Sequence, residues 1–94
     1  MKTKLFRYDI DRAIGAALRQ IRQEKCLTLR DLSQRTNSKH SLFAKIETYQ
    51  RRITFGELAE LADLMETTTE NVIARAYQLL EEGAIPAQEE LTPA

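Results

Sequence analysis

The chain has very little cysteine and histidine, and these shortages exclude several classes of protein. Cys26 and His40 are the single cysteine and the single histidine among 94 residues, so one chain cannot form a disulfide framework or a tetrahedral zinc site. No apolar run approaches the roughly 18 residues that a membrane span needs, and no apolar stretch follows the basic N-terminus. We therefore expect a cytoplasmic protein whose stability comes from packing.

The same shortages argue against an enzyme. One histidine, one cysteine and no glycine-rich phosphate loop leave neither a nucleophile–base pair nor a metal cluster to nominate. We expect no catalytic residue, no metal site and no cofactor. Cys26 is expected to be a small packed residue at a helix end, because the chain has no second cysteine to resolve an oxidised one.

The net charge of zero conceals a strong separation of charge along the chain. Residues 1–52 contain 13 Lys/Arg and 5 Asp/Glu, a balance of +8, whereas residues 53–94 contain 1 and 9, a balance of −8. A basic half of this size indicates a surface directed at a polyanion such as nucleic acid. A chance excess of charge on two solvated surfaces is the alternative.

The apolar residues recur at helical rather than alternating spacing, and only three glycines and two prolines interrupt them. We therefore predict an all-α fold, a compact domain of five helices. The first helix is expected over residues 10–25, with Asp9 or Asp11 as its cap. The second is expected to begin after Thr28, which has an acid three residues later, and to end by Asn37.

Three further helices are predicted from the same signals. The third begins at Ser38 or Lys39, the fourth follows a capping box at residues 54–57, and the fifth follows Thr68 and ends before Gly83. The apolar residues expected to face the core are Ile10, Ala13, Ile14, Ala17, Leu18, Ile21, Leu29, Leu32, Leu42, Phe43, Ile46, Phe55, Leu58, Leu61, Ala62, Met65, Val72, Ile73, Ala76, Leu79 and Leu80.

The chain is expected to have three parts. A basic N-terminal arm occupies residues 1–9 and carries Lys2, Lys4 and Arg7, and the helical domain occupies residues 10–83. Residues 84–94 are expected to be a flexible acidic tail, because they hold two prolines and too few apolar residues to order themselves.

Two short helices joined by a turn of about four residues are typical of a DNA-binding helix-turn-helix. The third helix would then be the reading helix. With Phe43 and Ile46 turned inward, its opposite face is small, polar and basic, which suits close approach to a major groove. That face carries His40, Ser41, Ala44, Lys45 and Thr48. An ordinary solvated helix face is the alternative.

Four segments together resemble the lambda-repressor-like, Cro/cI-type helix-turn-helix of the XRE family: IGAALRQIR at 14–22, LTLRDL at 27–32, FAKIE at 43–47 and QRRIT at 50–54. The resemblance covers about residues 10–73. It implies a sequence-specific dimer whose third helix enters the major groove. It also implies that bases are read by Lys39, His40, Ser41 and Lys45, with Ala44 beside them. Thr28 and Arg30, with the backbone amides of the second helix, fall on phosphate, and Glu47 falls on an internal structural contact.

Several positions depart from the family pattern. Leu29 replaces a glutamine that touches phosphate, so that contact is lost. Asn37 replaces the turn glycine, which asparagine tolerates, and Ser38 replaces an aliphatic core residue. Lys39 replaces a small capping hydroxyl. Tyr49 replaces the glycine after the Ile-Glu pair, so we expect the chain to take another backbone path there.

Arg51 and Arg52 follow the third helix and are expected to bind phosphate, which supplies affinity and register without sequence information. In the fifth helix, Tyr77 and Leu80 are expected to leave an apolar edge that a second copy covers. Packing of Tyr77 within the monomer is the alternative. The leading hypothesis is a transcriptional repressor that binds a pseudo-palindromic operator in double-stranded DNA as a homodimer. The alternative is a protein-interaction module that kept the fold and lost operator binding, and a cognate protein partner is left open.

Overall fold

A computed structural model describes residues 7–36 and 40–83. Within these ranges the chain forms helices and no strand, which confirms the predicted all-α class. The helices are α1 (Arg7–Glu24), α2 (Leu29–Thr36), α3 (His40–Glu47), α4 (Phe55–Leu64) and α5 (Thr69–Glu81). The predictions for Lys2, Lys4, Asn37, Ser38, Lys39 and the tail at 84–94 lie outside the described residues.

The start of α1 differs from the prediction. The helix begins at Arg7 rather than at residue 10, so the last three residues of the predicted arm are helical. Asp9 lies inside the first turn instead of capping it. A carboxylate in the first turn still favours the helix, because it lies beside the unpaired amides at the positive end of the helix dipole.

The predicted caps of α2, α4 and α5 are confirmed. The Thr28 hydroxyl accepts the Asp31 amide at 3.0 Å, while the Thr28 amide donates to the Asp31 carboxylate at 2.8 Å. Thr54 and Glu57 form the same reciprocal box at α4. Thr68 accepts a backbone amide at the start of α5. Each cap satisfies amides that have no partner inside the helix.

Three helices are followed, two positions after their last residue, by a non-glycine residue in the left-handed conformation. Cys26, Tyr49 and Glu66 have φ of 59°, 70° and 59° after α1, α3 and α4. The amide that follows each of them donates to the carbonyl five residues back, as in a Schellman motif. These bonds are Leu27 to Arg22 at 3.0 Å, Gln50 to Lys45 at 2.8 Å and Thr67 to Ala62 at 2.8 Å.

Two expectations are corrected at these helix ends. Tyr49 does not take another backbone path, because it adopts the left-handed conformation itself. Cys26 follows a helix end as expected but is exposed rather than packed, because it lies beyond α1, five residues after Ile21, the last buried residue of that helix.

The core is a single cluster of buried apolar side chains from all five helices. α1 packs most extensively against α5, α3 packs against both α1 and α2, and α4 packs against α5 and α2. The buried members are Ala13, Ala17, Leu18, Ile21, Leu32, Phe43, Ile46, Leu58, Leu61, Ala62, Met65, Val72, Ala76 and Leu79. Ile14, Leu29, Leu42, Ile73 and Leu80 are partly buried against it.

Phe55 is not part of this core, contrary to the prediction. Its side chain is 69% exposed. As the first residue of α4 it lies at the helix tip, and the buried stripe begins one turn later at Leu58. No helix in the described ranges has the length and apolar character needed to cross a bilayer.

Candidate nucleic-acid interface

The predicted reading helix α3 is held by its apolar residues, of which Leu42 is partly buried against the core. Phe43 and Ile46 are buried, while Lys45 is exposed and Ala44 is half-buried. Thr48, just after the helix, is exposed, and its hydroxyl donates to the Ala44 carbonyl at 2.8 Å. The side that faces away from the core therefore carries a small residue and a cation, as the sequence predicts.

The remaining predicted base-reading residues are described only in part. The backbones of His40 and Ser41 form the first turn of α3, but their side chains lie outside what the structure describes, as does the whole of Lys39.

A buried ion pair fixes the C-terminal end of α3 to α1. Arg22 donates from Nε to one carboxylate oxygen of Glu47 at 2.7 Å and from Nη2 to the other at 2.9 Å. The two side chains are only 12% and 8% exposed. Nη1 of Arg22 also donates to the Leu27 carbonyl at 2.8 Å, so the same guanidinium holds the turn before α2. Glu47 is therefore structural, as the resemblance implies.

Two further contacts position the end of α3. At Gly15 the backbones of α1 and α3 approach so closely that a Cβ atom would lie 2.5 Å from the Ile46 carbonyl oxygen. The guanidinium of Arg12 lies over the Tyr49 ring, 5.3 Å from its centroid. Arg12 is buried, so this cation–π contact helps to hold the left-handed tyrosine in place.

The predicted phosphate contacts at the start of α2 are exposed, and Thr28 also bonds to Asp31. Thr28 and Arg30 are both exposed. The Thr28 amide, just before the amides of α2, donates to Asp31. Hydrogen bonds from the backbone and then the side chain of Thr28 hold the pKa of the Asp31 carboxyl below its ordinary value. A carboxylate thus lies directly beside this predicted phosphate contact.

Arg51 and Arg52 lie in the segment between α3 and α4, and both have carboxylate partners. Arg51 donates from Nη1 and Nη2 to the two carboxylate oxygens of Glu57, at 2.9 and 3.0 Å. Arg52 Nε lies 3.4 Å from a carboxylate oxygen of Asp11 in α1. The hydrogen bond that Arg51 donates is the largest cause that lowers the pKa of the Glu57 carboxyl, and the same bond raises the pKa of Arg51.

The single basic residue of the acidic half also contacts α1. Arg75 is the one Lys/Arg in residues 53–94. It donates to the Glu24 carboxylate at 2.8 and 3.2 Å and to the Gln20 amide oxygen at 3.0 Å. The bond from Arg75 is the main cause that lowers the pKa of Glu24. No group of His, Cys, Asp and Glu among the described residues could hold a metal ion.

Sequence reasoning identified the cations of this region but missed their partners. Glu57 was predicted only as a cap, and Asp11 only as a possible cap of α1. No helical spacing relates Arg51 to Glu57 or Arg52 to Asp11, because a turn separates the first pair and most of the domain separates the second. Arg22, the partner of Glu47, lies 25 residues away and gives no local signal.

Comparisons with known proteins agree with this architecture. A crystal structure of the clp gene regulator ClgR from Corynebacterium glutamicum superposes with a TM-score of 0.76 at 27% identity, over 87% of this chain and 85% of that one. A second crystal structure of ClgR has a TM-score of 0.71 at 25% identity, over 73% of this chain and 90% of that one.

A search of curated proteins finds no match. The helix-turn-helix domain family, however, matches residues 13–76, which is most of α1 to α5. The chain belongs to the helix-turn-helix domain family.

Proposed function

We propose that the protein is a sequence-specific DNA-binding transcription regulator of the Cro/cI type, which represses by binding a pseudo-palindromic operator as a homodimer. The observation that carries the proposal is the arrangement of α3. Its apolar residues Phe43 and Ile46 are buried, and Lys45 is left exposed in the basic half of the chain. The likeness to ClgR, named as a clp gene regulator, supports transcription regulation.

In this proposal α3 reads bases. A lysine ammonium donates to the guanine acceptors of the major groove, and a small side chain allows the helix to approach the base edges. The residues assigned to base reading are Lys39, His40, Ser41, Ala44 and Lys45.

Phosphate binding is assigned to residues on both sides of α3. An arginine guanidinium and a threonine hydroxyl both donate to phosphate oxygens, which fixes the register of the protein on the duplex. Thr28 is exposed at the start of α2, where its hydroxyl would exchange the Asp31 carboxylate for a phosphate oxygen. The residues assigned to phosphate are Thr28, Arg30, Arg51 and Arg52.

Dimer formation is assigned to the outer face of α5. Tyr77 is 46% exposed, and Leu80 is only partly buried against the core. Two-fold symmetry would place two reading helices about one DNA turn, roughly 34 Å, apart. Because two identical subunits then each meet one half-site, we propose a pseudo-palindromic operator.

Selection of bound sites from a random DNA pool tests this function directly. We expect a pseudo-palindromic site. In binding assays on that site, Lys45→Ala should weaken operator binding by roughly 5- to 100-fold and relax preference at one base pair of each half-site. Lys25→Ala is the matched control, because it removes the same charge from an exposed position at the end of α1.

Two results would contradict the proposal. An unchanged selected site for Lys45→Ala would remove that residue from base reading. Failure of the wild-type protein to enrich any sequence, together with an absence of salt-dependent binding to duplex DNA, would instead favour the protein-interaction module. Repression is tested separately, by placing the selected site over a promoter that drives a reporter.

A further inference from the structure

Arg51 already holds an anion of the chain itself before any DNA is present. Its guanidinium meets the Glu57 carboxylate through two parallel hydrogen bonds. We propose that Glu57 is an internal competitor for the phosphate that Arg51 binds, so that this carboxylate lowers the affinity of the protein for DNA. The inference rests on the proposed DNA-binding function and deepens it, because it names a residue that sets affinity without touching a base.

The competition follows from the geometry of the guanidinium. A carboxylate and a phosphate both accept the same pair of N–H groups in the bidentate arrangement. Arg51 uses one N–H of Nη1 and one of Nη2 for Glu57, and Nη1 also donates to the Arg52 carbonyl at 2.9 Å. Phosphate can therefore replace Glu57 on this edge, or bind the remaining N–H groups while Glu57 stays nearby. In the first case an ion pair is lost, and in the second two anions repel each other.

Glu57 is held at this position independently of Arg51. The Thr54 amide donates to Oε1 of Glu57 at 2.9 Å, and the Glu57 amide donates to the Thr54 hydroxyl at 3.1 Å. This capping box ties the carboxylate to the start of α4, so it does not swing away when Arg51 turns to another anion. After the bond from Arg51, the hydrogen bond from the Thr54 amide is the next largest cause that lowers the pKa of Glu57, so the cap by itself favours the charged carboxylate.

Arg52 shows a looser version of the same arrangement. Its Nε lies 3.4 Å from Asp11, and its side chain is 56% exposed. The longer distance and greater exposure make this pair weaker than that of Arg51, whose side chain is 38% exposed. We therefore assign the competition to Glu57 and expect only a smaller effect from Asp11.

Glu57→Gln is the variant that isolates the charge. Glutamine retains an oxygen that accepts the Thr54 amide, and it is a normal third residue of a capping box. The matched control is Glu60→Gln, which removes the same charge from an exposed position one turn further along α4. Binding of each full-length variant to a random-sequence duplex is measured by fluorescence anisotropy over a series of potassium chloride concentrations. Circular dichroism checks that each variant is folded.

We expect Glu57→Gln to bind DNA about 2- to 5-fold more tightly than the wild type at low salt, and Glu60→Gln to change affinity clearly less. The salt dependence of Glu57→Gln should steepen by up to about one unit, because Arg51 then contributes a full phosphate contact. In an Arg51→Ala background, Glu57→Gln should have no more effect than Glu60→Gln.

Two results would overturn the inference. Equal effects of Glu57→Gln and Glu60→Gln would mean that only net charge matters, and weaker binding by Glu57→Gln would mean that Glu57 positions Arg51 for phosphate. If Glu57→Gln does not fold, Glu57→Ala is compared with Thr54→Ala, which removes the threonine side of the cap while keeping the carboxylate. If the wild type itself shows no salt-dependent binding to duplex DNA, the proposed function has failed rather than this inference.

Discussion

Arg22 joins three parts of the chain through one guanidinium. It extends from α1 and donates to both carboxylate oxygens of Glu47 at the end of α3 and to the Leu27 carbonyl before α2. Because both charged side chains are largely buried, each compensates the desolvation of the other. The pair therefore links the position of the proposed reading helix to the stability of the fold.

Breaking this pair from one side should be strongly destabilising. Glu47→Ala leaves Arg22 buried without its partner, so the free energy of unfolding in urea should fall by about 3–5 kcal/mol. The double variant Arg22→Met/Glu47→Leu removes both charges and should recover much of that loss. Glu24→Ala, which breaks the exposed pair with Arg75, is the control and should have a much smaller effect. Equal losses for Glu47→Ala and Glu24→Ala would contradict the argument.

The backbone conformation of Tyr49 could not be predicted from the residue type alone. A bulky side chain in the left-handed region is disfavoured, so the sequence predicts a detour of the backbone. The detour does not occur, because the Arg12 guanidinium holds the ring and the Schellman bond to Lys45 forms anyway. Arg12 lies 37 positions earlier in the sequence, and no local rule connects the two residues.

At the scale of the helices, the capped starts of α2, α4 and α5 could be predicted, whereas the left-handed residues after α1, α3 and α4 could not. Thr28, Thr54 and Thr68 cap their helices as expected, because a capping side chain bonds amides only two or three residues away. The ends of α1, α3 and α4 carry no glycine signal, since their left-handed residues are Cys26, Tyr49 and Glu66. A left-handed position without glycine is strained, so each of these ends can be improved.

Glu66→Gly should stabilise the protein. Glycine adopts the left-handed conformation without the Cβ clash, so the free energy of unfolding should rise by about 0.5–1 kcal/mol even though glycine also loosens the unfolded chain. Glu60→Gly is the matched control, because it makes the same substitution at an exposed position inside the same helix and should lower stability by about 1 kcal/mol. Thermal unfolding that shifts downward for both variants would show that no strain is relieved at position 66.

At the scale of the whole molecule, the five-helix arrangement follows from the sequence, whereas the pairing of charges does not. Helical periodicity and caps are local properties, and a compact domain with short turns leaves few ways to bury five apolar stripes. The ion pairs from Arg22, Arg52 and Arg75 each reach a distant helix. These pairs depend on how the helices pack against one another, so the spacing of residues in the sequence does not predict them.

The proposed homodimer makes a prediction about Tyr77. Because this side chain is 46% exposed on α5, Tyr77→Glu should leave the monomer folded and place like charges against each other in a symmetric interface. We expect sedimentation to shift to the monomer and operator binding to weaken. Leu80 is less suitable for substitution, because it is also partly buried against the core.

Ala59→Glu is the control for the dimer test. It adds the same charge at an exposed position on a different helix, α4. The wild type should sediment as a dimer at concentrations that saturate the selected DNA site. A wild-type monomer at those concentrations would remove the dimer from the proposal.

A genetic screen for function would not distinguish Gly15 from a residue that contacts DNA. In a saturation library selected for repression, almost every substitution there should be lost, because even Gly15→Ala places a Cβ 2.5 Å from the Ile46 carbonyl oxygen and should lower the free energy of unfolding by about 1–3 kcal/mol. Gly56 has no atom within 4 Å of such a Cβ, so Gly56→Ala should be enriched or neutral. When the same library is selected for protein abundance, variants at Gly15 should again be lost, whereas variants at Lys45 should be retained. The contrast between the two screens would separate residues that position α3 from residues that are proposed to contact bases.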